Sequence, residues 1–189
     1  MSINNAFYTS AKISTTYLKT EQKKIELAVE KIKVSLKSGN KLMVCGNGGS
    51  AADSQHFAAE LIGMFNKKRA PLAAISLTTN TSNLTATAND FGFDYVFERQ
   101  VEGLGKNGDI LFGISTSGNS ENVLRAIQRA KQMGIFTIAL LGKGGGKIKS
   151  AADLAIIVPS DETPRIQECH LITYHAISEQ IERDLFPDA

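Results

Sequence analysis

The sequence predicts an α/β fold in which a five-stranded parallel sheet is covered by helices on both faces. Five short runs are nearly uninterrupted by polar residues: Lys41–Cys45, Leu72–Leu77, Asp109–Ile114, Phe136–Leu141 and Leu154–Val158. Strands buried on both faces read this way. Segments of helical periodicity separate the runs, the alternation expected of a parallel sheet with crossover helices. At 189 residues the chain suits one domain that buries a core without disulfide or metal staples.

In chain order, Ile25, Val29, Ile32 and Leu36 recur at helical spacing among Lys and Glu residues, and Ser38-Gly39-Asn40 ends that helix. The first strand follows, then a Gly-rich turn (GNGGS) and a helix from about Ala51. After the second strand comes a Thr/Asn-rich segment with a helix. The third strand runs into STSGNS and an amphipathic helix with Val123, Leu124, Ile127 and Ala130 on one side. The fourth leads to a second Gly-rich turn (GKGGGK). After the fifth, Thr163-Pro164 offers a cap and a first-turn proline for a long C-terminal helix.

The net charge of +2 argues against nucleic acid or an anionic membrane as partner. No apolar run is long enough to span a bilayer, and MSINNAFYTS lacks the order of a signal peptide, so a cytoplasmic protein is expected. Cys45 and Cys169 share no metal or disulfide spacing and read as two free thiols.

Ligands of such sheets bind at the carboxyl ends of the strands, near a topological switch point. Ser115-Thr116-Ser117-Gly118-Asn119-Ser120 lies at one such end and carries five hydroxyl or amide side chains among six residues. With the free N–H groups of the following helix, it forms an anion site suited to phosphate. The plain alternative is an ordinary capped helix start. Gly46-Asn47-Gly48-Gly49-Ser50 is neither a Walker A loop nor a dinucleotide fingerprint, so no nucleotide cofactor is expected. Its glycines allow close approach of a ligand, and Asn47 and Ser50 could bind sugar hydroxyls.

His56 and Glu60, at i and i+4, project from one helix face. Such a pair can hold a divalent metal, act as a base with its orienting partner, or form a surface hydrogen bond. Apolar neighbours on both sides suggest a desolvated carboxylate, which suits a general base. On the C-terminal helix, Gln167, Leu171 and His175 share a face while His170 points elsewhere.

CGNGGSAADSQHFAAEL, TANDFGFDYVFERQVEGLGKNGDILFGISTSGNS and RIQECHLITYHAISEQIE together resemble the phosphoheptose isomerases of the sugar-isomerase (SIS) domain superfamily. The resemblance implies a single SIS-type domain over residues 1–189, with an N-terminal helical extension to about residue 38. It implies conversion of sedoheptulose 7-phosphate into D-glycero-D-manno-heptose 7-phosphate, the first step toward bacterial surface heptoses. By the family pattern Glu60 and His175 form the acid–base pair. Asn47, Gly48, Gly49, Asn89 and Asp90 contact the sugar, as do Glu60 and Gln167. Ser115, Thr116, Ser117 and Ser120 bind the phosphate. Some members carry zinc, whose ligands would fall on His56, Glu60, Gln167 and His175. Met64 stands where many members have Arg, so the basic group near the phosphate is either missing or replaced by Lys67, Lys68 or Arg69.

The chief rival is a non-enzymatic SIS protein that binds a replication initiator or senses a sugar phosphate. The presence of both Glu60 and His175 favours the enzyme. The resemblance also suggests a homotetramer. Gln167 and His175 lie about 12 Å apart along a straight helix, a long reach for one small ligand. Active sites between subunits, with Glu60 and His175 from different chains, are therefore expected.

Overall fold

In the computed structural model, which describes residues 2–188, the sheet has the strand order β2-β1-β3-β4-β5 with every pair parallel. The strands are β1 (Leu42–Gly46), β2 (Ala74–Ser76), β3 (Ile110–Ser115), β4 (Phe136–Leu141) and β5 (Leu154–Ile157). The helices are α1 (Ile3–Lys37), α2 (Gly49–Ile62), α3 (Thr81–Phe91), α4 (Glu98–Leu104), α5 (Glu121–Gln132), α6 (Ile148–Ala151) and α7 (Thr163–Leu185).

Period-two alternation sorts the strand residues onto two faces. Leu42, Val44, Ile110, Phe112, Ile114, Ile138, Leu140 and Ile156 pack beneath α1, α2 and α7. Met43, Cys45, Leu111, Ala139 and Leu141 pack beneath α4, α5 and α6. On α5 the side chains of Val123, Leu124 and Ile127 are buried, each stabilising the fold by about 1.5–3 kcal/mol. Both cysteines are free and buried, and burial pushes the Cys45 thiol up to about 12 and raises that of Cys169.

The structure sharpens several boundaries. α2 starts at Gly49, two residues before Ala51. The second strand shrinks to Ala74–Ser76 because the Leu72 N–H donates to Leu61 C=O of α2 instead of entering the sheet. The following segment forms two helices rather than one. At α7 the cap is Glu162, which makes no side-chain bond, and Thr163 and Pro164 belong to the first turn. No described helix is long and apolar enough to cross a membrane.

α2 and α7 lie side by side on one face and run in the same direction. Gly49 meets Gln167 near their starts, and Tyr174 meets His56 two turns later. Past the end of α2, the N–H groups of Phe65, Asn66 and Lys67 donate to Glu182 of α7, as does Arg69 Nε at 3.0 Å. The side chains of this ion pair are 0% and 3% exposed. Burial works against the Glu182 charge, but the backbone donors and the Arg69 charge outweigh it and lower its pKa.

Removing one partner of such a pair leaves the other buried and uncompensated. Glu182→Gln should therefore lower the unfolding free energy by about 3 kcal/mol or more in equilibrium denaturation. Arg183→Ala, which cuts the exposed Arg183–Glu179 pair, should stay within about 0.5 kcal/mol. Equal losses for the two variants would show that Glu182 does not brace the helices.

Candidate active site

Sheet order makes the space above β1 and β3 the topological switch point. From β1 the chain crosses through α2 to β2 on one side, and later strands add on the other. Gly46 pairs with Ile114, so GNGGS and STSGNS leave the sheet beside each other. A reciprocal amide pair links them: Asn47 Nδ2 donates to Asn122 Oδ1 at 2.8 Å, and Asn122 Nδ2 returns a bond to Asn47 Oδ1 at 2.9 Å. Each amide keeps a second donor and a second lone pair.

STSGNS is shaped by its own hydroxyls. Ser115 Oγ accepts from the Gly118 N–H and lies 2.9 Å from Ser120 Oγ. Ser120 occupies the N-cap of α5 but makes no capping bond, because its hydroxyl faces Ser115. The first turn of α5 thus lacks a side-chain cap, which suits an anion. Gly118 has φ +65°, and a Cβ there would lie 2.1 Å from Gly145 C=O of the GKGGGK turn. Thr116 and Ser117 remain half-buried at the rim.

The second group forms on α2 and α7. His56 Nε2 lies 2.8 Å from Glu60 Oε1 and 3.4 Å from His175 Nε2, and the three ligand atoms all lie within 4.8 Å of one another. The cluster sits at the margin of the core: Phe57, Ala58 and Leu61 are buried, whereas His56 is exposed and Glu60 partly so. Burial lowers the pKa of His175, as does the His56 charge, while Glu60 opposes them. Nitrogen ligands at about 2.0–2.1 Å from a tetrahedral zinc stand roughly 3.3 Å apart. The 3.4 Å between the two Nε2 atoms fits that spacing.

Glu60 and His175 therefore meet within one chain, which corrects the expectation that they come from different subunits. Parallel packing of α2 and α7 makes this possible. Gln167 and His175 meet the same neighbouring helix at two levels, Gln167 lying against Gly49. A Cβ at Gly49 would lie 2.0 Å from Gln167 Nε2, so any side chain there would displace the Gln167 amide. Asn89 and Asp90 sit exposed on α3 and bond to each other, and no hydrogen bond joins them to either group.

Two of the three bases expected to stand in at Met64 are engaged elsewhere. Arg69 is held by Glu182 and donates to the carbonyls of Glu60 and Leu61, while Lys67 Nζ donates to those of Phe186 and Pro187. His170, set aside in the sequence, is fully buried, with Nε2 3.3 Å from Leu141 C=O. Burial brings its pKa down to about 4, so it is neutral at pH 7.

Asp53 and Tyr174 were not expected. Tyr174 OH lies 3.0 Å from His56 Nδ1 and 3.5 Å from Asp53 Oδ1. Burial raises the Asp53 carboxyl to about 6, against the Tyr174 bond and the His56 charge. A signal was present: Asp53, His56 and Glu60 stand at i, i+3 and i+7 on one helix face.

A family model for the SIS domain matches residues 7–142. A phosphoheptose isomerase of Nitratiruptor is 60% identical over 148 residues, 78% of this chain and 79% of its own. The structure is similar to that of phosphoheptose isomerase from Neisseria gonorrhoeae, with a TM-score of 0.90, 44% identity and coverage of 95% of this chain and 96% of the other. A phosphoheptose isomerase structure from Francisella tularensis gives a TM-score of 0.93 at 36% identity, covering 96% of each chain.

Proposed function

The chain belongs to the SIS-domain family, among its phosphoheptose isomerases, and from that premise we propose that Glu60 and His175 are the acid–base pair of an aldose–ketose isomerisation. The reaction converts sedoheptulose 7-phosphate into D-glycero-D-manno-heptose 7-phosphate, an early step of bacterial heptose synthesis. The observation that carries the assignment of roles is the convergence of a carboxylate and two imidazoles from α2 and α7.

Isomerisation moves a hydrogen between C1 and C2 of the open-chain sugar. Glu60 takes the proton from one carbon and returns it to the next, through an enediol. His175, with its lowered pKa, is neutral at pH 7 and can accept and return the proton at oxygen. The uncapped start of α5, with Ser115, Thr116, Ser117 and Ser120, anchors the phosphate as a remote handle. Asn47, Gly48, Gly49, Asn89, Asp90 and Gln167 are the remaining sugar contacts. The residues that would hold zinc are His56, Glu60 and His175, with Gln167 the remaining candidate donor. Such an ion would polarise the carbonyl and stabilise the enediolate.

The two groups of the site stand apart within one chain. Glu60 is eleven residues past Gly49, about 16 Å down the axis of α2 from the phosphate turn's level. A seven-carbon phosphate ester, with bonds of about 1.5 Å, spans under about 10 Å. On this reading the phosphate turn of one chain serves the Glu60–His175 pair of another, in a cytoplasmic homotetramer. Exposed Ile3, Phe7, Tyr8, Leu18, Leu171 and Ile172 on α1 and α7 support such packing.

Glu60→Gln should abolish turnover of sedoheptulose 7-phosphate while leaving substrate binding in place. Near-normal turnover would remove Glu60 from the mechanism. Zinc is tested by elemental analysis and by activity after chelation; full activity in demonstrably metal-free protein would exclude an essential ion. Sedimentation should give four chains per particle, and a monomer would remove the shared site. Co-refolding Glu60→Gln with His175→Asn should give dead mixtures, because both groups lie in one chain. Co-refolding Glu60→Gln with Ser117→Asp, whose carboxylate repels phosphate, should restore activity. The reverse pattern would place the division of the site elsewhere.

A further inference from the structure

Tyr174 is fully buried, and its ring stacks on Phe57 at 5.6 Å. Its hydroxyl thus has little freedom, and it lies between His56 Nδ1 at 3.0 Å and Asp53 Oδ1 at 3.5 Å. A phenol has one proton to donate and can accept with its lone pairs. An ionised Asp53 can only accept. Its Oδ2 is buried with no partner, and the Tyr174 hydroxyl makes the hydrogen bond to its Oδ1.

If Tyr174 donated to His56, the buried carboxylate would face a bare phenol oxygen with neither of its own oxygens bonded by that group. Leaving such an acceptor unmatched costs more than redirecting one proton. With the phenol proton on the Asp53 side, the Tyr174 oxygen accepts, and His56 Nδ1 must be the donor. The His56 Nε2 atom is then free of its own proton in the neutral ring. It faces Glu60 Oε1 at 2.8 Å and His175 Nε2 at 3.4 Å. Two acceptors 2.8 Å apart make a place for a cation, or, without one, for the Nε2 proton of a neutral His175.

We propose that Asp53 and Tyr174 are positioning residues that keep the imidazole proton of His56 on Nδ1, so that Nε2 presents a lone pair to a cation held with Glu60 and His175. This deepens the metal reading above and rests on it. Ligating histidines characteristically donate their other ring N–H to a fixed acceptor, which sets the tautomer and strengthens the ligand. Here the acceptor is a tyrosine that is itself held by a carboxylate.

The chain has three histidines, so ring spectra of the metal-free, full-length protein labelled with ¹⁵N-histidine are simple to read. Long-range ¹H–¹⁵N correlations should show His56 protonated at Nδ1 in the wild type. In Tyr174→Phe and in Asp53→Asn the proton should move to Nε2, where Glu60 accepts it. Chelator competition with Zn²⁺ alone should show affinity about tenfold or more weaker in Tyr174→Phe. The double variant should be no weaker than Tyr174→Phe, because Asp53 acts through the phenol. A wild-type proton on Nε2, or an unchanged tautomer in the variants, would overturn the proposal. Should Tyr174→Phe fail to fold, Asp53→Asn alone decides by the same spectrum. If wild-type protein binds no Zn²⁺ the metal reading falls, while the tautomer measured without metal still decides the relay.

Discussion

Glu182 holds its charge where water barely reaches because four donors converge on it, and that convergence sets how α2 lies against α7. Three of the donors are successive backbone N–H groups just past the end of α2; the fourth is Arg69. The carboxylate therefore fixes the level at which one helix stands beside the other. Two turns nearer their N-termini, the same register brings Tyr174 beside His56 and places His175 opposite Glu60. A slide of one residue would move these groups by about 1.5 Å, enough to part a carboxylate from an imidazole.

The sheet imposes a second constraint. Helices that follow a parallel strand run back along the sheet, so α2 carries Glu60 away from the carboxyl ends where the STSGNS turn lies. The fold thus sets the hydroxyl-rich STSGNS turn and the His56–Glu60–His175 cluster at different levels along α2. Both α1 and α7 carry exposed apolar side chains on their outer faces. The buried positions beneath those helices are filled by Ile, Leu, Val and Phe side chains of the sheet, so the exposed ones are surplus to the chain's own core.

Chemistry at the cluster depends on where a few protons sit. Two imidazoles and a carboxylate within hydrogen-bonding range cannot all present lone pairs without a cation. Burial holds the pKa of His175 below the ordinary histidine value, which favours the neutral ring. Isomerisation needs such a group, because the same site must give and take a proton within one turnover.

Sequence alone determined the five strands, the long helices and the two polar turns, because each is written in local periodicity and turn chemistry. It also identified His56 with Glu60, whose i, i+4 spacing is a property of one helix. The junctions were less legible: Leu72 looked like strand but its N–H bonds to α2, and Thr163 looked like a cap but lies within the helix. Tertiary structure alone decided that Glu60 and His175 belong to the same chain, since His56 and His175 are 119 residues apart. Their meeting depends on strand order and on the register set by Glu182. The same holds for Asn47 with Asn122, for Tyr174 with Asp53, and for Arg69, a candidate basic group by the family resemblance that is held instead by Glu182. A side chain's type is local, but its partner is chosen by packing across the whole core.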